Sequence, residues 1–172
     1  HCGHNLGLTP PRHFNSFREI QEAGWDFFTK HIKKLGKIDL CICNGDAIDG
    51  SGKKDTLSHN VTDISTQQKI AIECLEYVKA RKYIFLRGTP YHVTDSNMES
   101  EDAIAEHFKA EIHDERKIDV NGCILHCRHT TGKGGTAYGS ITSFQRSAVV
   151  QLLNDISQEN VKADVFIRSH VH

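Results

Sequence analysis

The chain has 172 residues, of which 38% are hydrophobic and 25% charged, and this size and balance suit one folded domain with a sizeable core. Its 21 Lys and Arg against 22 Asp and Glu exclude a strongly basic field, which disfavours non-specific nucleic-acid binding by charge alone. The 12 histidines stand out, because histidine is the commonest metal ligand and titrates near neutral pH.

The cysteines and the apolar runs indicate the compartment. The 6 cysteines form no Cys-x-x-Cys pair, which is typical of reduced core thiols. No apolar run approaches a membrane span and no signal peptide is visible, so we expect a cytoplasmic protein without a membrane partner. The chain opens on His1 without a methionine and closes on Ser169-His170-Val171-His172, which predicts a segment trimmed at both ends.

The first third of the chain predicts a loop, a helix and a strand. Residues 1–13 contain several Gly and Pro residues and predict a loop. Apolar residues at helical spacing predict a helix that Gly36 ends. Asn15 or Ser16 is its predicted cap, and Glu19 would form a capping box with Ser16. The Ile-rich run over 38–43 predicts a short buried strand.

The middle of the chain predicts a second helix and a second strand. Residues 51–64 are polar and predict an irregular surface segment. Ser65 with Gln68 predicts another capping box, which opens a helix to about Ala80. The apolar run 83–86 predicts the next strand.

The last third contains the clearest local signal, which is a hairpin. Asn121-Gly122 between the apolar-rich runs 117–120 and 123–129 predicts a type I′ turn. The other predicted elements are two helices and a last strand, at about 99–109, 143–156 and 165–168. Strands that alternate with helices, together with one hairpin, predict α/β layers around a mixed sheet.

Candidate ligands lie at the ends of four of the predicted strands. They are Asp46 and Asp49, His92, His129, and His170 with His172. The carboxyl ends of strands border the crevice in which open α/β sheets bind ligands. Carboxylate and imidazole together suit Mn, Fe or Zn, and the lack of a thiolate set argues against a closed structural zinc site. Two metal ions bridged by a carboxylate activate water and neutralise phosphoryl charge.

His126 is the alternative to His129 on the second hairpin strand. Side chains alternate along a strand, so these two histidines lie on opposite faces. His129 is the one that adjoins the Gly-rich polar loop after the strand, which favours it as the ligand.

The order of these motifs resembles the calcineurin-like metallophosphoesterases. That family's pattern is D-x-H, G-D-x-x-D-G, G-N-H-[DE], a lone H, and G-H-x-H. Here His1 matches the end of the first motif, residues 45–50 the second, His129 the fourth and residues 169–172 the fifth, in order along the whole chain. The flanking Gly-Leu-Thr-Pro-Pro and Arg-Gly-Thr-Pro-Tyr-His stretches are similar to bacteriophage and prophage members.

The resemblance implies a fold and a reaction. The fold is a four-layer α/β/β/α sandwich that residues 1–172 form as one domain, without its first strand. The reaction is hydrolysis of a phosphomonoester or phosphodiester, with a hydroxide that bridges two divalent metal ions as the nucleophile. Manganese is the first expectation for the metal, with Fe, Zn or Ni as alternatives. The substrate class stays open between small molecules, nucleotides and nucleic acid, and so does the oligomeric state.

The resemblance also implies the metal ligands. Asp46 would bridge both metal ions. His1 and His172 would serve the first, together with an Asp two residues before His1 that this chain lacks. His129 and His170 would serve the second.

Three further residues have roles implied by the resemblance. Asp49 would orient a ligand, and Thr89 stands where the family has an Asn ligand. His92 lies two residues later than the family's histidine and is expected to protonate the leaving oxygen. Two alternatives remain: a module of the same fold that binds without catalysis, which Thr89 favours, and a single-metal zinc protein with Cys and His ligands.

Overall fold

The structure, a computed structural model, describes residues 1–50, 63–89, 100–130 and 139–169. The described helices, after a short 3-10 turn at Pro11–His13, are α1 (Arg18–Leu35), α2 (Ile64–Val78), α3 (Ser100–His107) and α4 (Gly139–Ser157). The described strands are β1 (Leu40–Asn44), β2 (Lys82–Leu86), β3 (Glu111–His113), β4 (Glu115–Val120), β5 (Cys123–Arg128) and β6 (Val165–Arg168). The predicted α/β class is confirmed.

The described strands form two three-stranded sheets. In the first sheet β2 lies between β1 and β3, and all neighbours are parallel. In the second sheet β5 is central, antiparallel to β4 and parallel to β6. The element order predicts layers around a mixed sheet, and the described strands form a parallel sheet beside a mixed one. Strand β3 was not predicted, because its three residues contain a single apolar side chain and so form no apolar run.

Strand β2 is buried on both faces, and its side chains alternate between two layers of the core. Tyr83 and Phe85 pack with buried residues of α2 and α3, namely Ile70, Ala71, Cys74, Ile104 and Ala105. Ile84 and Leu86 pack instead with Ile118 and Cys127 of the second sheet. The first sheet thus has helices on one face and the second sheet on the other, which is why β2 is a nearly continuous apolar run.

The two remaining helices contact this core through different chemistry. Helix α1 contacts α2 through aromatic rings, with the centroids of Trp25 and Tyr77 5.3 Å apart. Helix α4 contacts the second sheet through an ion pair, in which Lys117 Nζ lies 2.6 Å from the buried Asp155 Oδ1. Within the described ranges, no helix is both long and apolar enough to cross a membrane.

Both predicted capping boxes are wrong. Helix α1 has Phe17 at its N-cap with no side-chain cap, and the Phe17 N–H donates to Asn15 Oδ1 at 2.9 Å. Helix α2 is capped by Asp63, whose Oδ2 accepts from the Thr66 N–H at 2.8 Å and the Thr66 hydroxyl at 2.6 Å. A carboxylate is a stronger acceptor than a serine hydroxyl, so the helix begins earlier than Ser65 predicts.

The predicted hairpin turn is confirmed. Asn121 and Gly122 have φ values of 54° and 88°, and a type I′ turn requires positive φ at both positions. The Gly122 N–H donates to Asp119 Oδ1 at 2.7 Å. The turn sets the register of β4 and β5, and with it the positions of the residues that follow β5.

Candidate functional site

The loop after β1 brings Asp46 to the ends of the neighbouring strands. Gly45 and Asp46 have left-handed φ values of 81° and 53°, a region that Gly adopts freely and Asp tolerates better than most residues. A Cβ at Gly45 would overlap the ring of His129 and lie 2.7 Å from the Gly88 Cα. Glycine at position 45 therefore permits the close approach of three chain segments around Asp46.

The two carboxylate oxygens of Asp46 have different partners. Oδ1 accepts hydrogen bonds from the Thr89 N–H at 2.8 Å and the Thr89 hydroxyl at 3.0 Å. Oδ2 lies 2.9 Å from His129 Nε2 and 3.7 Å from His1 Nε2. The residue is 7% exposed. One oxygen is therefore held by the end of β2, while the other faces two imidazole rings in a buried setting.

His129 is oriented by the backbone of β1. Its Nδ1 lies 2.6 Å from the Asn44 carbonyl oxygen, so the Nδ1–H donates to that carbonyl and Nε2 is directed toward Asp46. Burial lowers the pKa of His129, but the Asp46 carboxylate, the Asn44 carbonyl and the charge of Glu101 outweigh it and raise the pKa above its ordinary value. His129 Nε2 and Asp46 Oδ2 thus lie within ion-pair distance, at 2.9 Å.

His1 reaches the same carboxylate from the N-terminal segment. Cys2 pairs in parallel with Ile48, and its N–H donates to the Ala47 carbonyl at 3.0 Å, so the predicted loop begins as a short extended segment. This pairing places His1 Nδ1 3.3 Å from Asp49 Oδ1. In both histidines Nδ1 faces an oxygen of a neighbouring residue, and Nε2 faces Asp46.

Gln67 of α2 supports the Asp49 side of the site. Its Oε1 accepts from the N–H groups of Asp49 at 3.2 Å and Gly50 at 3.0 Å, and its Nε2 donates to the Gly50 carbonyl at 3.1 Å. Gln67 is not among the site residues that the sequence predicts. The available signal is its helical spacing, because it occupies the same face of α2 as the buried Ile70 and Ala71.

Glu101 of α3 is a second site residue that the sequence reading missed. Its Oε2 accepts from the Gly88 N–H at 2.7 Å, and its Oε1 accepts from the Ala47 N–H at 3.2 Å. Burial raises the pKa of Glu101, against the effect of these two hydrogen bonds. The available signal is again helical spacing. Glu101 precedes the buried Ile104 and Ala105 by three and four residues and so occupies the same face of the helix.

The structure brings together five of the predicted site residues. They are His1, Asp46, Asp49, Thr89 and His129. The other three, His92, His170 and His172, lie outside the described residues. His126 lies elsewhere: its ring packs 5.6 Å from that of Phe166, and its Nδ1 is 3.0 Å from Arg168 Nη2.

The donor atoms around Asp46 agree with a divalent metal site in type but not in arrangement. Across the described ranges, no group of three or more His, Cys, Asp or Glu side chains is arranged to hold a metal ion. The types of donor nevertheless fit, because a carboxylate and two imidazoles suit Mn, Fe or Zn. Each imidazole also has its Nδ1 beside an oxygen, as ligating histidines do. The Thr89 hydroxyl oxygen keeps lone pairs after donating to Asp46.

Comparisons with known proteins gave a structural similarity and no family. No family model and no curated protein matches it. A crystal structure of a protein of unknown function from Aquifex aeolicus is similar, with 17% identity, a TM-score of 0.46 and 85% of this chain covered. This chain spans 63% of the length of that protein. The class that the described residues define is a mixed α/β protein with a buried carboxylate–imidazole cluster at its strand ends.

Proposed function

We propose that the chain is a metallophosphoesterase of the calcineurin-like type, which hydrolyses a phosphomonoester or phosphodiester with two divalent metal ions. The observation that carries the proposal is the convergence of His1 Nε2 and His129 Nε2 on one oxygen of the buried Asp46. When bound, the metal ions would lower the pKa of water and neutralise phosphoryl charge. The proposed residues at the metal ions are His1, Asp46, Thr89, His129, His170 and His172.

Hydrogen bonds within the chain hold the proposed metal ligands in position. Thr89 donates twice to Asp46 Oδ1, which restrains rotation of the carboxylate and keeps Oδ2 directed at the histidines. Asp49 orients His1, as the family resemblance implies, and the Asn44 carbonyl orients His129. Residues held in this way lose little freedom when a ligand binds.

The proposed fold is the four-layer α/β/β/α sandwich. The packing of α2 and α3 on one face of the first sheet, and of the second sheet on its other face, supports three of the layers. The contact between α4 and β4 through Asp155 and Lys117 supports the fourth. The phage-type subfamily and the cytoplasmic location stay predictions.

Metal content and hydrolysis, measured together, test the proposed function. The wild-type chain should bind about two Mn²⁺ ions and hydrolyse p-nitrophenyl phosphate or its bis ester. Asp46→Asn should lose both properties, because an amide offers one neutral acceptor where a bridging ligand needs two anionic oxygens. Asparagine also tolerates the left-handed φ of 53°, so the fold should persist.

The matched control is Asp26→Asn on the exposed side of α1, which removes the same charge far from the site. It should keep wild-type metal content and turnover. Wild-type turnover in Asp46→Asn would overturn the bridging role. A wild-type chain without bound metal would favour instead the alternative of a non-catalytic binding module.

The thiol chemistry disfavours the alternative of a zinc–cysteine protein. All six cysteines lie in the described ranges and are free thiols. Burial raises the pKa of Cys43 to about 12 and also raises the pKa values of Cys41 and Cys127. A thiol must lose its proton to bind metal, so a raised pKa weakens these three residues as ligands. Alkylation of the thiols with full retention of metal would exclude this alternative.

A further inference from the structure

Glu101 connects the two loops that meet at Asp46. Its carboxylate accepts the N–H of Ala47, the residue after Asp46, at 3.2 Å. It also accepts the N–H of Gly88, the residue before Thr89, at 2.7 Å. The direct bonds between Thr89 and Asp46 therefore lie beside a second connection, made by one buried carboxylate of α3, which is 7% exposed.

The backbone of Gly88 lies between two carboxylates with no spare room. A Cβ added at Gly88 would overlap Asp46 Oδ1 and the Asp46 backbone nitrogen, and it would lie 3.0 Å from Glu101 Oε1. Gly88 thus lies so close to Asp46 that a side chain at position 88 would not fit without a shift. The Glu101 bond to its N–H opposes any movement away from that position.

We propose that Glu101 is a positioning residue of the phosphoesterase site. It holds Gly88 and Thr89 against Asp46, so that Thr89 occupies Oδ1 while Oδ2 stays directed at the metal-binding imidazoles. This inference rests on the proposed function. Outer residues that orient metal ligands typically change metal affinity by roughly 10–100-fold when they are mutated.

Two substitutions at Glu101 test separately the charge and the length of its side chain. Glu101→Gln keeps the shape but turns one acceptor oxygen into a donor, so either Gly88 or Ala47 loses its partner. Glu101→Asp keeps the charge but is one methylene shorter and cannot reach both N–H groups without a shift. The matched control is Glu106→Gln, which removes the same charge from an exposed position of the same helix.

The experiment measures Mn²⁺ affinity by calorimetry, and hydrogen exchange of the Gly88 and Ala47 amides in the metal-free protein. In Glu101→Gln we expect at least one of these amides to exchange roughly tenfold faster, and the Mn²⁺ dissociation constant to rise roughly tenfold or more. Glu101→Asp should show a smaller rise. Glu106→Gln should match the wild type in both measurements.

The possible results distinguish this inference from the proposed function. Wild-type Mn²⁺ affinity in Glu101→Gln, even with a lower free energy of unfolding, would make Glu101 merely structural and overturn the inference alone. If Glu101→Gln does not fold, the test rests on Glu101→Asp. Wild-type Mn²⁺ affinity in Glu101→Asp would then overturn the inference alone. A wild-type chain that binds no Mn²⁺ would overturn the proposed function itself.

Discussion

At the scale of single residues, Asp46 combines three requirements that few side chains satisfy together. Its backbone has a left-handed φ of 53°, its Oδ1 accepts two hydrogen bonds from Thr89, and its Oδ2 faces two imidazoles. Asparagine meets the backbone requirement but offers one acceptor oxygen. Glutamate supplies the charge but carries an extra methylene into a buried site. The local structure therefore specifies aspartate.

Gly88→Ala should destabilise the site by overpacking. The new methyl group would overlap Asp46 Oδ1 and the Asp46 nitrogen, which should cost about 1–3 kcal/mol of unfolding free energy and displace the Thr89 bonds. Urea unfolding and Mn²⁺ titration measure both effects. At the control position Gly24 in α1, a Cβ would have no described heavy atom within 4 Å. Gly24→Ala should therefore stabilise the helix by up to about 1 kcal/mol. The same change in both variants would contradict the close packing at Gly88.

His92→Ala tests the proposed general acid, whose position lies outside the described residues. A general acid accelerates departure of a poor leaving group by roughly 10²–10⁴-fold and matters little for an activated aryl group. We therefore expect a large loss of kcat with an alkyl phosphate and a small one with a p-nitrophenyl ester. Equal losses on both substrates would show that His92 has another role.

At the scale of elements, the contact of α4 with β4 includes an ion pair between the buried Asp155 and the half-buried Lys117. Burial by itself would raise the pKa of Asp155, but hydrogen bonds from Lys117 and Gln151 lower it below its ordinary value. A lowered folded-state pKa contributes stability that is present above the unfolded pKa of about 4 and is lost as the pH falls through the folded pKa.

Asp155→Asn should accordingly cost roughly 1–3 kcal/mol of unfolding free energy at pH 7. The difference from the wild type should shrink as the pH falls below about 4, which urea unfolding at several pH values would detect. The control is Glu22→Gln, which breaks the exposed Arg18–Glu22 pair of 3.6 Å and should cost less than about 0.5 kcal/mol. A difference that is the same at every pH would contradict the ion pair's contribution.

Elements with strong local signals were predictable from the sequence, whereas those that depend on pairing partners were not. The Asn121-Gly122 turn requires a backbone that these residues favour, so the hairpin followed from two positions. Strand β6 lies where its apolar run places it. Strand β3 forms because β2 offers an open edge beside it, and nothing in its own three residues shows that edge.

The same distinction holds within the candidate site. Asp46 and His129 lie at or near the ends of predicted strands, and such a position is visible in the sequence. Glu101 and Gln67 are single polar residues on otherwise apolar helix faces, and their partners are backbone N–H groups far away in the chain. Which loops lie opposite those faces is decided by tertiary packing, which no local pattern contains.

At the scale of the whole molecule, the site spans both sheets. Asp46 and Thr89 follow strands of the first sheet, whereas His129 follows a strand of the second. Three side-chain hydrogen bonds of the described residues join the sheets there. His129 Nδ1 donates to the Asn44 carbonyl at 2.6 Å, and Asn44 Nδ2 donates to Ser169 Oγ at 2.8 Å and to the Arg128 carbonyl at 3.3 Å. Below them, the apolar contact between the sheets includes the fully buried Leu86. Metal binding should therefore be coupled to the packing of the sheets.

This coupling predicts how much Mn²⁺ raises the unfolding free energy of variants in the contact between the sheets. A ligand at 100 times its dissociation constant raises the unfolding free energy by about 2.7 kcal/mol when it binds only the folded chain. The wild type should show this gain, and Asp46→Asn should show none. Leu86→Ala should lose about 2–5 kcal/mol without metal. At the same Mn²⁺ concentration its gain should be smaller than that of the wild type, because the second sheet no longer holds His129 firmly beside Asp46.

The matched control is Val120→Ala at the exposed end of β4, which truncates an apolar side chain away from that contact and should keep the full gain. A full gain in Leu86→Ala would mean that the loops alone set the geometry of the site. A gain in Asp46→Asn would place the Mn²⁺ elsewhere.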